Sequence, residues 1–248
     1  LVDWLATQLP RRVERAVSIG SGAAAAEIQL LRRGSVKTFD IYDISRHLLE
    51  RAKETVAAAG LSGRLVCHEA DINHVALVPN GYDLVTFFAS LHHVTNLEYL
   101  LPECRRALRP GGVFFAHEYT GPSRFAFPDD HLQVARAVFR TIDPSLRCPW
   151  PELPVPDPSE VASADPSEAV RSTELVDMVR EYFPEVQVLS LDVALTIILW
   201  YGLNHDALYD TREGHKLVRW ILDLDGTLIK AKRLWNYQST FIAIKRDA

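Results

Sequence analysis

Val17-Ser18-Ile19-Gly20-Ser21-Gly22-Ala23-Ala24-Ala25 is an apolar run that breaks at a Gly-x-Gly turn and continues into an alanine-rich, helix-forming segment. It reads as strand, tight loop and helix. Gly20 and Gly22 carry no Cβ, so a ligand can touch backbone there, and the N–H groups of the following helix point at any anion that arrives. A nucleotide-like cofactor suits such a loop. Glycine turns between strand and helix also arise for steric reasons alone, so the next residues matter.

Val36 to Tyr42 is β-branched and aromatic and ends at Asp43, which lies 23 positions after Gly20. That is close to the ~20-residue spacing at which an acid meets a ribose diol in a βαβ nucleotide fold. Ser45 is placed as an N-cap, with Leu48, Leu49, Ala52, Val56 and Ala59 at helical spacing before Gly60. Leu65 to His68 makes a third strand, followed by Glu69-Ala70-Asp71-Ile72, a second acid at a strand end suited to an exocyclic amine, with Ile72 against the ring. Tyr82 to Phe88 makes a fourth strand and runs into Ala89-Ser90-Leu91-His92-His93-Val94. A helix capped by Asn96 ends at the turn Leu108-Arg109-Pro110-Gly111-Gly112, which feeds a fifth strand, Val113 to Glu118. Gly20-x-Gly22-x-x-Ala25 also fits the looser dinucleotide fingerprint, which keeps a nicotinamide-dependent reductase in view. None of the tyrosines is followed four residues later by lysine, so the usual Tyr-x-x-x-Lys relay of short-chain reductases is absent.

The order Ile19-Gly20-Ser21-Gly22, Tyr42-Asp43-Ile44-Ser45, Glu69-Ala70-Asp71-Ile72, Tyr82-Asp83-Leu84-Val85, Leu91-His92-His93-Val94 and Leu108-Arg109-Pro110-Gly111-Gly112 resembles the class I S-adenosylmethionine-dependent methyltransferase family over residues 13 to 120. The resemblance implies an α/β, Rossmann-like seven-stranded fold, mostly parallel with an antiparallel final strand. It implies S-adenosylmethionine as cofactor and S-adenosylhomocysteine as product. Gly20, Ser21 and Gly22 would hold the methionine end; Asp43, with Ile44 beside it, the ribose; Asp71 and Ile72 the adenine. Phe88, Ala89 and Ser90 would flank the sulfonium. Ser18 departs from the pattern, since the family often has an acid two residues before the first glycine. Residues 118 to 125 and 164 to 172 further resemble a bacterial branch of the family, which does not fix a substrate.

Residues 1 to 120 are expected to form the cofactor core, 121 to 184 an inserted substrate cap, and 185 to 248 the last strands with a helical insertion, all one domain. Within the cap, Asp129 to Thr141 reads as a helix, Asp143 to Pro166 as a proline-rich stretch poor in regular structure, and Ser167 to Tyr182 as a second helix. Glu185 to Leu191 reads as the sixth strand, Ala207 to Ile221 as a helix and Gln238 to Lys245 as the last strand. Leu222-Asp223-Leu224-Asp225-Gly226-Thr227-Leu228 reproduces the D-x-D-G-T pattern of haloacid-dehalogenase-type phosphatases. Only 21 residues follow Thr227, too few for the domain such a site needs, so Asp223 and Asp225 are read as a helix-end or turn feature.

Transfer of a methyl group from a sulfonium is an in-line displacement, and a base matters only if the nucleophile must lose a proton. His92, His93, His117 and Glu118 are the candidates, at the carboxyl ends of strands where open α/β sheets place ligands. Tyr119, Arg124 and His131 are candidates for substrate contact, with lid packing as their plainer role. The 248 residues are 48% hydrophobic and carry a net charge of −5. No apolar run approaches the ~20 residues that span a membrane, and no basic face invites nucleic acid. Cys67, Cys104 and Cys148 lack metal or disulfide spacing, so no metal is expected and a reducing, cytoplasmic setting fits. The chain starts at Leu1, without a secretory pattern, which leaves room for a preceding segment such as an N-terminal lid. The function expected is methylation of an oxygen or nitrogen on a small molecule, with a reductase or a non-catalytic binding protein of the same fold as alternatives. Oligomeric state is not legible.

Overall fold

The computed structural model describes residues 1–9 and 12–246. After helix α1 (Val2–Gln8), strand β1 (Val13–Ile19) enters the centre of a sheet, and its neighbours explain its composition. It pairs in parallel with β2 (Val36–Asp43) on one side and β4 (Tyr82–Phe88) on the other, so both faces are covered and the run is nearly continuous in apolar residues. β3 (Leu65–Glu69) extends the sheet beyond β2, and β5 (Leu108–Tyr119) beyond β4, again in parallel. Among the described residues seven strands form one sheet in the order β3-β2-β1-β4-β5-β7-β6, with β6 spanning Gln187–Ser190 and β7 Gln238–Ile244. Reversed pairing at the end shows in the backbone. Gly111 N–H donates to Lys245 O at 2.8 Å while Thr120 N–H donates to Tyr237 O at 2.8 Å, which only an antiparallel β5 and β7 allow. The expected mostly parallel α/β sheet with antiparallel closing strands is what the chain forms.

Helices α2 (Ala25–Arg32), α3 (Arg46–Ala58), α4 (Leu97–Ala107) and, later, α7 (Leu175–Tyr182) cover this sheet. Ser45 caps α3 as expected, its hydroxyl accepting from Leu48 N–H at 3.4 Å. Asn96 sits at the N-cap of α4, but its amide instead donates to Asn73 O at 3.3 Å. Apolar residues of α4 and α7 pack on Val17, Val85, Phe87 and Phe114, while those of α1, α2 and α3 pack on Ala16, Phe39, Ile41 and Phe115 on the other face.

Two compact units result, one of Leu1–Glu118, Glu174–Leu189 and Thr240–Ala248, the other of Tyr119–Thr173 and Ser190–Ser239. The second unit has its own core around Phe139, Leu195, Ile198, Leu199 and Tyr237. α5 covers Asp129–Thr141, as read from the sequence. The proline-rich stretch contains more structure than expected. Asp157 accepts from Ser159 N–H and Glu160 accepts from Asp157 N–H, a capping box that starts α6 at Pro158–Ala164. The helix expected over 167 to 182 is confined to α7. Asp165 accepts both the Ser167 N–H and hydroxyl, and Ala169 adopts a left-handed φ of 47°, so helix forms only beyond them.

α8 covers Leu195–Trp200, and α9 (His205–Asp210) and α10 (Arg212–Lys230) replace the single helix expected near 207 to 221. Thr211 breaks it by capping α10 through Gly214 N–H at 2.9 Å. The D-x-D-G-T stretch lies within α10 rather than at a helix end or turn. Asp223 is exposed, and Asp225 is buried with its carboxylate accepting from Ala194, Leu195 and Thr196 N–H and from the Thr196 hydroxyl. α8 lacks a local side-chain cap, and Asp225 supplies one from a distant helix. Replacing Asp225 by Ala is expected to lower the stability read from urea unfolding by at least about 2 kcal/mol, because three N–H groups, those of Ala194 and Leu195 buried, lose their acceptor. Asp223→Ala is expected to stay within about 0.5 kcal/mol.

Candidate active site

β1 ends where its two neighbours diverge in the chain, so the loops after β1, β2 and β4 meet at one edge of the sheet. Gly20 and Gly22 have φ of +68° and +53°. Ala24 also takes a left-handed φ of 55°, so the third special position of the loop is residue 24, and Ala25 already belongs to α2. A Cβ on Gly20 would lie 2.6 Å from Ser90 Cβ, and Ile72 Cδ1 is the next apolar neighbour. Ser90 in turn donates from its hydroxyl to Ile19 O at 2.6 Å, tying the loop after β4 to the end of β1. Ser21 Oγ is buried and has no partner among the described residues.

Asp43 accepts from Gly22 N–H at 2.7 Å through one oxygen and from Ser45 N–H at 2.8 Å through the other, joining the glycine loop to the start of α3. Ile44 beside it is 71% exposed. Asp71 accepts from the backbone and side-chain N–H groups of Asn73, both at 2.9 Å, and these donors hold its carboxyl below the usual range. Ile72 is half-buried with Tyr42 and Ala70 against the core of this unit. A carboxylate at the end of β2, another after β3 and a backbone cradle after β1 therefore share the edge that the sequence marked.

The loop after β4 is built around a fully buried carboxylate. Glu118 accepts from Ser90 and Leu91 N–H, both at 2.9 Å, from His92 N–H at 3.3 Å, and pairs with His92 Nδ1 at 2.7 Å. Glu118 thereby fixes the orientation of the His92 ring through Nδ1. His93 lies against His92, ring centroids 4.4 Å apart. Ala89 has a left-handed φ of 54°, and its N–H donates to His117 O at 2.8 Å. Phe88 packs on Phe115. His117 Nδ1 meets Thr240 Oγ1 at 2.9 Å, and burial lowers its pKa. Sequence reading had marked Glu118 as a possible base, but the clamp it forms around residues 90–92 has no local signature.

Sequence reading also missed Glu27. Where Ser18 leaves the strand end without an acid, Glu27 of α2 brings one in space, accepting from Ser18 Oγ at 2.5 Å. A single charged residue in Ala23 to Leu31, where Gln29 is the one other polar side chain, was the available signal.

The three substrate candidates lie in the second unit. Tyr119 donates to Pro122 O at 3.0 Å, and His131 Nδ1 meets Tyr237 Oη at 2.5 Å beside Trp235. Burial lowers the pKa of His131 and raises that of Tyr119. Arg124 gives its guanidinium to the carbonyls of Asp165, Pro166 and Glu168 at 3.3, 2.6 and 2.9 Å. Tyr119 and His131 share one aromatic cluster through Tyr237, whereas the Arg124 guanidinium serves the chain turn at 165–168. The same unit contains a cavity of about 330 Å³ lined by Phe125, Ile197, Trp200 and Tyr201, with Thr196 and Gln238 as its polar groups.

Residues 17–116 match a family model described as a methyltransferase domain. The ubiquinone/menaquinone biosynthesis C-methyltransferase UbiE of Dinoroseobacter shibae is 26% identical over 135 residues, 54% of this chain and 51% of the relative. The 27-O-demethylrifamycin SV methyltransferase of Amycolatopsis mediterranei is 32% identical over 113 residues, 45% and 41% of the two chains. The chain thus spans about half the length, or less, of these curated relatives. Among solved structures, Haemonchus contortus phosphoethanolamine N-methyltransferase 2 with S-adenosyl-L-methionine superposes with a TM-score of 0.63 at 16% identity, covering 99% of this chain and 52% of the other. Sheet order, glycine loop and strand-end acids define a Rossmann-like nucleotide-cofactor fold of the methyltransferase type. The matched region resembles a methyltransferase domain, and S-adenosyl-L-methionine is the cofactor of the superposed structure.

The loop fits that cofactor on its own chemistry, since it offers backbone N–H groups, a glycine where a side chain has no room, and a buried hydroxyl on Ser21 without a partner among the described residues. Asp43→Ala is expected to weaken S-adenosylmethionine binding by about 1.5–3 kcal/mol in calorimetry, because a charge-assisted acceptor is lost and Gly22 is released with it. Unchanged affinity would remove Asp43 from the site, and tight NADH binding by the parent protein would contradict the cofactor.

Proposed function

We propose that this chain methylates an oxygen or nitrogen of a small-molecule acceptor, a metabolite or natural product, in the cytoplasm. The observation that carries the reading is the joined set of loops after β1, β2 and β4, with His92 held by Glu118 beside Ser90. The relatives reported above are named for carbon, oxygen and nitrogen methylation, so they support a small acceptor without choosing its atom. A net charge of −5 speaks against a nucleic-acid acceptor, and three free thiols suit a reducing compartment.

When bound, S-adenosylmethionine supplies an electrophilic methyl group on a sulfonium. Gly20, Ser21 and Gly22 would hold its methionine end, Asp43 and Ile44 its ribose, and Asp71 and Ile72 its adenine, while Phe88, Ala89 and Ser90 would flank the sulfonium. His92 is one candidate base for the acceptor proton, with its ring held by Glu118 through Nδ1. His93 and His117 are the other candidate bases. The cavity of the second unit has aromatic and aliphatic walls and no charged side chain lining it, which suits a largely uncharged small molecule.

Replacing the working base by Asn is expected to lower kcat by ~10²–10⁴ with cofactor affinity retained. Turnover should rise with pH, because only the neutral imidazole accepts a proton. If His117 is the base, that rise should centre below the ordinary histidine value, since burial lowers its pKa. Full activity and an unaltered profile in the His92, His93 and His117 variants would leave proximity alone to drive transfer.

A further inference from the structure

Glu27 points from the first turn of α2 to the end of β1 and is 1% exposed. Its carboxylate accepts from Ser18 Oγ at 2.5 Å and from its own backbone N–H. Among the described residues no cation contributes to its ionisation. Burial raises its pKa to about 7, with the Ser18 hydroxyl opposing. The elements packed on α2 have their charges engaged elsewhere: Asp43 of β2 on backbone N–H groups, Asp3 of α1 with Arg33, Glu14 with Lys37, and Arg15 with Asp40. A buried carboxylate without a cation is costly, and glutamine would fill the same space without a charge. Ser18 precedes Gly20 by two residues and Glu27 follows Ala24 by three, so the acid underlies the loop whose Ser21 hydroxyl lacks a partner among the described residues.

We infer that Glu27 is a positioning residue that, through Ser18 and the glycine loop, supplies the counter-charge for the α-ammonium group at the methionine end of the cofactor. The inference rests on that end lying at this loop. An ammonium draws Glu27 into its ionised form, so binding releases a proton below neutral pH. The carboxylate is mostly protonated at about pH 6 and mostly ionised at about pH 7.5, while an α-amino group remains largely protonated up to about 7.7. Affinity should therefore increase with pH across this window.

Calorimetry with S-adenosylhomocysteine, which keeps the ammonium, and with 5′-methylthioadenosine, which lacks it, tests this directly. In the parent protein S-adenosylhomocysteine is expected to bind roughly five- to tenfold more tightly at about pH 7.5 than at about pH 6. Glu27→Gln should flatten that dependence, weaken S-adenosylhomocysteine about tenfold at the higher pH and leave methylthioadenosine unchanged. The ligand-free variant should also melt no lower than the parent at about pH 8. A carboxyl with a raised folded pKa stabilises below its unfolded value, and that contribution is lost as pH rises through about 7, so removing the charge helps most above it. Equal binding of S-adenosylhomocysteine by variant and parent, equal loss of both ligands, or a lower melting midpoint would overturn the inference. No binding of either ligand to the parent would overturn the cofactor assignment itself.

Discussion

Ser90 occupies the place where a side chain on Gly20 would have to be. This close approach holds the loop after β1 against the loop after β4, and the Ser90 hydroxyl fixes it by donating to Ile19 O. Both loops then present backbone at one edge of the sheet, where Asp43 joins them by accepting from Gly22 N–H. A side chain at residue 20 would separate the loops and dismantle the cradle, whatever else in the sheet survived.

Buried carboxylates do three different kinds of work in this chain. Asp225 is surrounded by donors and closes the start of α8, a structural task that needs no ligand. Glu118 gathers three N–H groups and the His92 ring, so the turn at 90–92 and the orientation of a candidate base depend on the same side chain. Glu27 has a single side-chain hydroxyl for company and keeps a raised pKa. Asp225 and Glu118 each gather four donors while Glu27 has one side-chain donor, a difference that burial does not show, since all three are buried.

Much of this was legible in the sequence because it is local. The β-branched run ending at Asp43, the Ser45 cap and the amphipathic stretch from Asp129 to Thr141 each state their own structure within a few residues. What escaped depends on partners distant in sequence. Asp225 meets α8 some thirty positions away, so an identical motif reads as a phosphatase signature until the helix is seen. Ala24 adopts a left-handed conformation that alanine does not advertise, and Glu27 meets Ser18 only once α2 lies on β1. The helix expected from Ser167 fails at Asp165 and Ala169, where side-chain and backbone turns outcompete helix propensity.

A crystal structure with S-adenosylhomocysteine tests the central claim most directly. The account predicts density along the ends of β1, β2 and β4, with the amino-acid end over Gly20 to Gly22 and the ribose hydroxyls on the Asp43 carboxylate. Density for the ligand elsewhere, or at this edge with Asp43 still bound only to Gly22 and Ser45, would contradict it.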